Sequence, residues 1–167
     1  MTAYISGRGG PWVIQKELNI SLPVGAQTVN VFKVSGTVRV IDQWARITNV
    51  TRLDNCTGVY SDFWDGDSAV PLTTDGIDLS NKGVGSFFTK DLLGTEPYSV
   101  IAGVDGGMLE TRDDDRIGRP FTVTQKGTND AYIRLHATAG GDTQIFRMFI
   151  YFAYQLLDGG SNFEVII

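Results

Sequence analysis

The sequence contains one histidine, His136, and one cysteine, Cys56. Hydrolytic triads, thiol redox centres and zinc sites need two or more such side chains that converge in space. No Gly-x-Ser-x-Gly or His-Glu-x-x-His motif accompanies His136. It alternates with Tyr132 and Arg134, so we expect a structural or interface histidine on the polar face of a strand. Cys56 has no partner for an internal disulfide, and we expect it to be a small buried residue.

Acidic side chains offer another route to chemistry. Asp65 and Asp67 begin a segment that resembles a calcium-binding loop. However, Ala69 stands where a third ligand is needed, Val70 replaces the turn glycine, and Gly76 occupies the closing ligand position. We therefore expect a solvated turn, with no metal and no cofactor. A glycosidase that uses two carboxylates stays open, because the chain has 19 Asp and Glu residues. A non-enzymatic protein is nevertheless the reading that we favour.

One loop combines three adjacent carboxylates with flanking guanidinium groups. The carboxylates repel each other, and arginines can neutralise them within the loop or across a neighbouring subunit. Two alternatives are a charged surface loop without a partner and a site for a divalent ion. The candidate intersubunit contacts in this loop are Arg112, Asp113, Asp114, Asp115 and Arg116.

The N-terminal segment, residues 1–22, carries aromatic and aliphatic side chains among glycines and prolines. It is interpreted as an extended arm that precedes a single domain over residues 23–167. The alternative, an edge strand folded on its own domain, has equal weight. The candidate contact residues of the arm are Tyr4, Arg8, Trp12 and Ile14.

Length and charge exclude several classes of protein. A chain of 167 residues can bury the core of one domain. Its net charge of -5 argues against nucleic acid and against anionic membranes as partners.

The N-terminus lacks the apolar core of a signal peptide, so we expect no export signal. The most apolar stretch, Ile145–Leu157, is shorter than the roughly 20 residues that span a bilayer. It is therefore predicted to be a core element.

Hydrophobic alternation predicts an all-β fold. Residues 28–41 alternate strictly, and Gly36 interrupts them as a predicted bulge or bend. Phe87–Leu93 is spaced like one or two turns of a short helix. Strands separated by Gly and Asp turns, without βαβ alternation, indicate a β-sandwich or barrel. The other predicted strands are Trp44–Arg52, Gly58–Trp64, Ser99–Gly103, Phe121–Gln125, Ala131–Ala137 and Ile145–Leu157.

Two of these segments carry a resemblance to a known group of proteins. Val31–Ile41 (VFKVSGTVRVI), together with the late aromatic strand that ends in Tyr154–Gly160 (YQLLDGG), resembles short structural proteins of tailed bacteriophages. The resemblance covers Gln27 to Val165 and implies an antiparallel, jelly-roll-like β-sandwich with at most one short helix. It also implies a virion protein, made in the host cytoplasm, that decorates or cements the capsid surface. The implied partners are the major capsid protein and copies of the chain itself, with a homotrimer favoured. No catalytic residues come with the resemblance.

Two alternative functions remain at this stage. Trp12, Trp44, Trp64 and Tyr60 could form a platform for sugar rings, although such residues are more often core or interface anchors. A carbohydrate-binding or receptor-binding module, such as a spike or fibre head, is therefore one alternative. The other is a tail or head-completion protein.

Overall fold

The structure is a computed structural model that describes residues 12–72, 78–89, 99–101 and 121–166. These residues form eleven β-strands and no helix. The strands are β1 (Trp12–Leu22), β2 (Gly25–Ser35), β3 (Thr37–Arg52), β4 (Cys56–Trp64), β5 (Ala69–Pro71), β6 (Phe87–Thr89), β7 (Ser99–Ile101), β8 (Phe121–Thr124), β9 (Ala131–Ala139), β10 (Gln144–Leu156) and β11 (Asn162–Val165).

The strands form two antiparallel sheets. The six-stranded sheet has the order β1-β10-β3-β6-β7, and β8 also pairs with β3. The five-stranded sheet has the order β11-β2-β9-β4-β5. Together they form a jelly-roll-like β-sandwich, so the predicted fold class is confirmed.

The core lies between the two sheets and follows the alternation of the sequence. On β10, Phe146, Met148, Ile150 and Phe152 are buried, while the residues between them are exposed or half-buried. On β9 the odd-numbered residues are buried in the same way. Residues two apart point to the same face of a strand, so a single apolar stripe per strand is enough to build the core.

Gly36 is a corner between the sheets. β2 of the five-stranded sheet ends at Ser35, and β3 of the six-stranded sheet begins at Thr37, so Gly36 is the only residue between them. The predicted bend at Gly36 is therefore confirmed, and at this bend the chain passes from one sheet to the other. Gly36 has φ +66°, and a Cβ atom added there would lie 2.8 Å from Oγ and 2.9 Å from Cα of Ser161. Only glycine combines this backbone conformation with such a close approach.

A bulge does occur five residues earlier. The register between β2 and β9 shifts between Asn30 and Phe32, and both Val31 and Phe32 are buried. The bulge reverses the alternation, which brings Phe32 and Val34 to the inner face.

Phe87–Thr89 is a strand and not the start of a helix. It forms β6, which pairs with Trp44–Arg46 on β3. The predicted short helix is therefore wrong over these three residues, and residues 90–93 lie outside the described part of the chain. One or two turns of helix have little stability of their own, whereas β3 offers backbone groups with which a Phe-rich segment can pair.

The second half of the N-terminal segment is an edge strand. β1 pairs with β10 over its whole length, from Trp12 opposite Tyr154 to Leu22 opposite Gln144. Lys16 lies on the inward side of this edge strand, and burial lowers its pKa. An inward-pointing charge is one of the devices that keep an edge strand from pairing with another sheet.

Two buried glutamines tie separate parts of the sandwich together. Oε1 of Gln144 accepts hydrogen bonds from the backbone N–H groups of Asp54 at 2.9 Å and Asn55 at 3.1 Å. Its Nε2 donates to the carbonyl of Asp142 at 2.8 Å, so one side chain joins two turns. Nε2 of Gln43 on β3 donates to Oγ of Ser61 on β4 at 3.0 Å and thereby links the two sheets.

Cys56 lies at the start of β4 and is fully buried, as predicted. Burial raises the pKa of its thiol to about 11, and the charge of Asp78 adds to this shift. The thiol is therefore protonated and unreactive at neutral pH.

We expect Gly36→Ala to lower the free energy of unfolding by about 2 to 4 kcal/mol, because it combines a left-handed backbone with overlap against Ser161. Gly159→Ala is the matched control, since no atom lies within 4 Å of an added Cβ there. Chemical denaturation of both variants measures the difference. Equal stability of the two variants would show that the corner tolerates a side chain.

Candidate functional surfaces

The outer face of the five-stranded sheet carries a group of polar and aromatic residues that we call the Asp62 cluster: Tyr60, Asp62, Trp64, Arg134 and His136. The first three lie on β4 and the other two on β9. Cross-strand pairing places Tyr60 opposite His136 and Asp62 opposite Arg134. Residues that face each other in this way have Cβ atoms about 5 Å apart, within reach of direct contact.

Asp62 and Arg134 form a bidentate ion pair at the centre of the cluster. Nε of Arg134 lies 2.8 Å from Oδ1 of Asp62, and Nη2 lies 2.5 Å from Oδ2. The side chains are only 5% and 19% exposed. The hydrogen bonds to Asp62 raise the pKa of Arg134, so the guanidinium stays charged. The pair thus holds two opposite charges in fixed positions with no net charge.

His136 is the expected polar-face histidine. Its Nδ1 lies 3.0 Å from Oγ1 of Thr28, and its ring stacks on Tyr60 with centroids 4.3 Å apart. Its Nε2 lies 3.0 Å from Oδ2 of Asp62, but the two atoms are not aligned for a hydrogen bond. The order of hydroxyl, imidazole and carboxylate resembles a catalytic triad. However, Arg134 already holds both carboxylate oxygens, so the arrangement fits a structural histidine better than a general base.

Trp64 completes the cluster at the end of β4. The Cζ atom of Arg134 lies 5.0 Å from the centroid of the Trp64 ring, a cation–π contact. The guanidinium is therefore fixed both by the carboxylate of Asp62 and by an aromatic ring.

Sequence reasoning did not find Asp62. Its alternation with Tyr60 and Trp64 was a usable signal, because it places all three side chains on one face. The partner on β9, by contrast, is 72 residues away along the chain, and alternation alone does not tell which strands pair.

The outer face of the six-stranded sheet has a different character, and we call it the aromatic–arginine face: Trp44, Phe149, Tyr151, Arg39, Arg46 and Arg147. The rings of Trp44 and Tyr151 stack at 5.3 Å with an interplanar angle of 6°, and Phe149 lies 6.0 Å from Tyr151. The three arginines are exposed and the three aromatic residues are half-buried.

The surroundings of this face are mainly polar. On β1, Gln15 lies opposite Tyr151 and Glu17 lies opposite Phe149. Asp42 lies on β3, opposite Ala153 of β10. The three arginines of the face outnumber the two acidic side chains around it, Glu17 and Asp42, although the chain as a whole has a net charge of -5. The face is therefore locally positive and aromatic.

The predicted contact residues of the arm divide into two groups. Trp12 and Ile14 are half-buried and pack against the core, and the ring of Trp12 meets Tyr154 edge to face at 5.6 Å. They fix β1 to the sandwich, and their role in partner contacts stays a prediction. Tyr4 and Arg8 lie outside the described residues.

The predicted loop contacts, Arg112, Asp113, Asp114, Asp115 and Arg116, also lie outside the described residues. Their role in subunit association stays a prediction.

The acidic turn after β4 is held by its own backbone. Oδ1 of Asp65 accepts hydrogen bonds from the backbone N–H groups of Asp67 at 2.8 Å and Ser68 at 2.7 Å, which lowers the pKa of Asp65. This is a solvated Asx turn of the expected kind. Within the described ranges, no group of three or more His, Cys, Asp or Glu side chains is arranged to hold a metal ion.

In the described part of the chain, no helix has the length and hydrophobicity needed to cross a membrane.

Comparisons with known proteins give little information about function. No protein-family model matches the sequence, and no curated protein matches it. One solved structure, that of the infectious bursal disease virus Gx strain, aligns with a TM-score of 0.24 and 13% sequence identity. The alignment covers 95% of this chain and 41% of the viral chain, so this chain spans less than half the length of that protein. A likeness at this level carries no argument about function.

We expect Arg134→Ala to destabilise the protein by about 3 kcal/mol, because it leaves the buried carboxylate of Asp62 without its partner. Arg147→Ala, an exposed arginine on the opposite sheet, should change stability by less than about 0.5 kcal/mol. Thermal and chemical unfolding of the two variants test this. If both variants are equally stable, the ion pair does not hold β4 and β9 together.

Proposed function

We propose that this protein is a non-enzymatic structural component of a virus particle that decorates or stabilises the capsid through protein–protein contacts. The proposed partners are the major capsid protein and further copies of the chain, assembled as a homotrimer on the capsid surface. The observation that carries the proposal is the aromatic–arginine face.

The composition of this face is typical of a protein-binding surface. Trp, Tyr and Arg dominate the residues that contribute most to binding between proteins, and they cluster at the centre of an interface. Here Trp44 and Tyr151 stack at the middle of the sheet, and polar residues such as Gln15 and Glu17 lie beside them. An aromatic centre with a polar rim is the usual anatomy of such a surface.

Rigidity adds to this argument. Trp44 lies on β3 and Tyr151 on β10, both strands in the interior of the sheet order. The rings already stack on each other, so binding a partner would cost little additional side-chain entropy. A sheet face therefore presents these anchors in one fixed arrangement.

A capsid offers many equivalent sites for such a surface. Symmetric repetition lets an oligomer engage several sites at once, so modest contacts per subunit give stable attachment. This supports a role in which the chain works by its surfaces, and it agrees with the resemblance of its early and late strands to virion structural proteins.

We test binding by adding purified protein to capsids that lack it. We expect the double variant Trp44→Ala/Tyr151→Ala to lower the occupancy at least tenfold relative to the wild type. This corresponds to about 1.4 kcal/mol or more of binding free energy. Co-sedimentation of purified protein with such particles measures occupancy. Trp64→Ala is the matched control, since it removes a half-buried tryptophan from the opposite sheet.

Arg46→Glu is an independent test of binding through the aromatic–arginine face, because it changes an exposed side chain and leaves the aromatic stack in place. Its occupancy should fall, and the loss should depend on salt concentration. Wild-type occupancy for both the double variant and Arg46→Glu would contradict the use of this face.

The N-terminal residues provide a separate test. Deletion of residues 1–11, which include Tyr4 and Arg8, should lower particle occupancy although β1, which spans Trp12–Leu22, keeps all of its residues. Deletion of residues 1–14 should also lower the melting temperature, since it removes Trp12 and Ile14 from the core. Occupancy that is unaffected by the shorter deletion would remove the arm from the binding mechanism.

A further inference from the structure

We propose that the outer face of the five-stranded sheet binds a neutral oligosaccharide, with Trp64, Arg134 and Asn30 as the residues that contact it. This binding site would be separate from the aromatic–arginine face, because the two lie on opposite outer faces of the sandwich.

The residues of this site lie in a line across three neighbouring strands. Asp62 on β4 is opposite Arg134 on β9, and Arg134 is opposite Asn30 on β2. Trp64 lies two residues further along β4, about 7 Å away on the same face. An aromatic ring, a guanidinium and an amide are thus presented side by side by hydrogen-bonded strands.

The site offers hydrogen-bond donors that the protein does not use. Arg134 gives Nε and one proton of Nη2 to Asp62. Within the part of the chain that the structure describes, its Nη1 has no hydrogen-bond partner. The amide of Asn30 is on an exposed residue of the adjacent strand and can both donate and accept. Sugar hydroxyl groups, which also donate and accept, match this set.

The charge of the site selects a neutral ligand. Asp62 and Arg134 form a bidentate ion pair, so the site has no net charge to attract either an anionic or a cationic ligand. A polyhydroxylated ligand meets only fixed dipoles. The indole of Trp64 supplies an apolar surface of the kind on which the C–H face of a sugar ring packs.

The geometry is fixed before a ligand arrives. The guanidinium is held by two hydrogen bonds to Asp62 and by the Trp64 ring at 5.0 Å. Groups that are already in position lose little entropy on binding, which favours weak but specific recognition of sugars.

The test is isothermal titration with maltohexaose, cellohexaose and chitotriose, preceded by a glycan array that also contains acidic glycans such as 3′-sialyllactose. We expect binding of at least one neutral oligosaccharide and a loss of affinity of tenfold or more in Trp64→Ala, which corresponds to about 1.4 kcal/mol. Asn30→Ala, at an exposed position, should weaken binding without a change in melting temperature. Trp44→Ala is the matched control and should bind as the wild type does.

Three results would overturn the proposal: no neutral oligosaccharide binds, binding survives in both Trp64→Ala and Asn30→Ala, or only acidic glycans bind. Attachment to capsids is measured separately with the variants of the opposite sheet. Loss of sugar binding in Trp64→Ala with normal capsid occupancy would support both proposals, and either one can fail alone.

Discussion

The structure depends on the contact between the inner faces of the two sheets, and its centre is aromatic. Phe32 on β2 meets Phe152 on β10 with centroids 5.0 Å apart, and Phe163 on β11 lies 5.1 Å from Phe32 and 5.7 Å from Phe152. Phe32 and Phe152 are fully buried. Because side chains alternate along a strand, the burial of these residues also decides which neighbours point outward. Both candidate surfaces are consequences of this core.

Polar groups inside or beside the core then restrict how the strands can pair. The ion pair of Asp62 and Arg134 can form in only one register of β4 against β9. A shift of one residue would place one of the two side chains on the other face of the sheet. The hydrogen bond from Gln43 to Ser61 joins the two sheets in the same selective way. Buried polar groups are costly when they lack partners, so they disfavour the alternative registers that an apolar core alone would tolerate.

The sandwich separates two kinds of surface. The six-stranded sheet presents an aromatic centre with exposed arginines such as Arg46, which suits a protein partner. The five-stranded sheet presents a neutralised ion pair beside Trp64, which suits a neutral polar ligand. The two outer faces of the sandwich thus differ in chemistry, as the two proposed roles require. Neither role requires a catalytic group.

Several features could be predicted from the sequence because they are local. A period of two fixes the strands and the inner face, so the all-β class, the position of β10 and the polar-face placement of His136 all follow from neighbouring residues. The acidic turn at Asp65 is local too, since it is built from hydrogen bonds within three residues. Burial of Cys56 could also be expected, because a cysteine without a disulfide partner is most often a small buried residue.

The remaining features were decided by the tertiary structure, because they depend on contacts between distant parts of the chain. By sequence Gly36 could be a bulge or a bend, and only the pairing of β2 and β3 in different sheets shows that it is a bend between the two sheets. Phe87–Thr89 becomes a strand because β3 is available to pair with it. Asp62 gains its role only when β9 brings Arg134 opposite to it. Alternation tells which way a side chain points, whereas strand pairing decides what it meets, and pairing is settled by the packing of the whole sandwich.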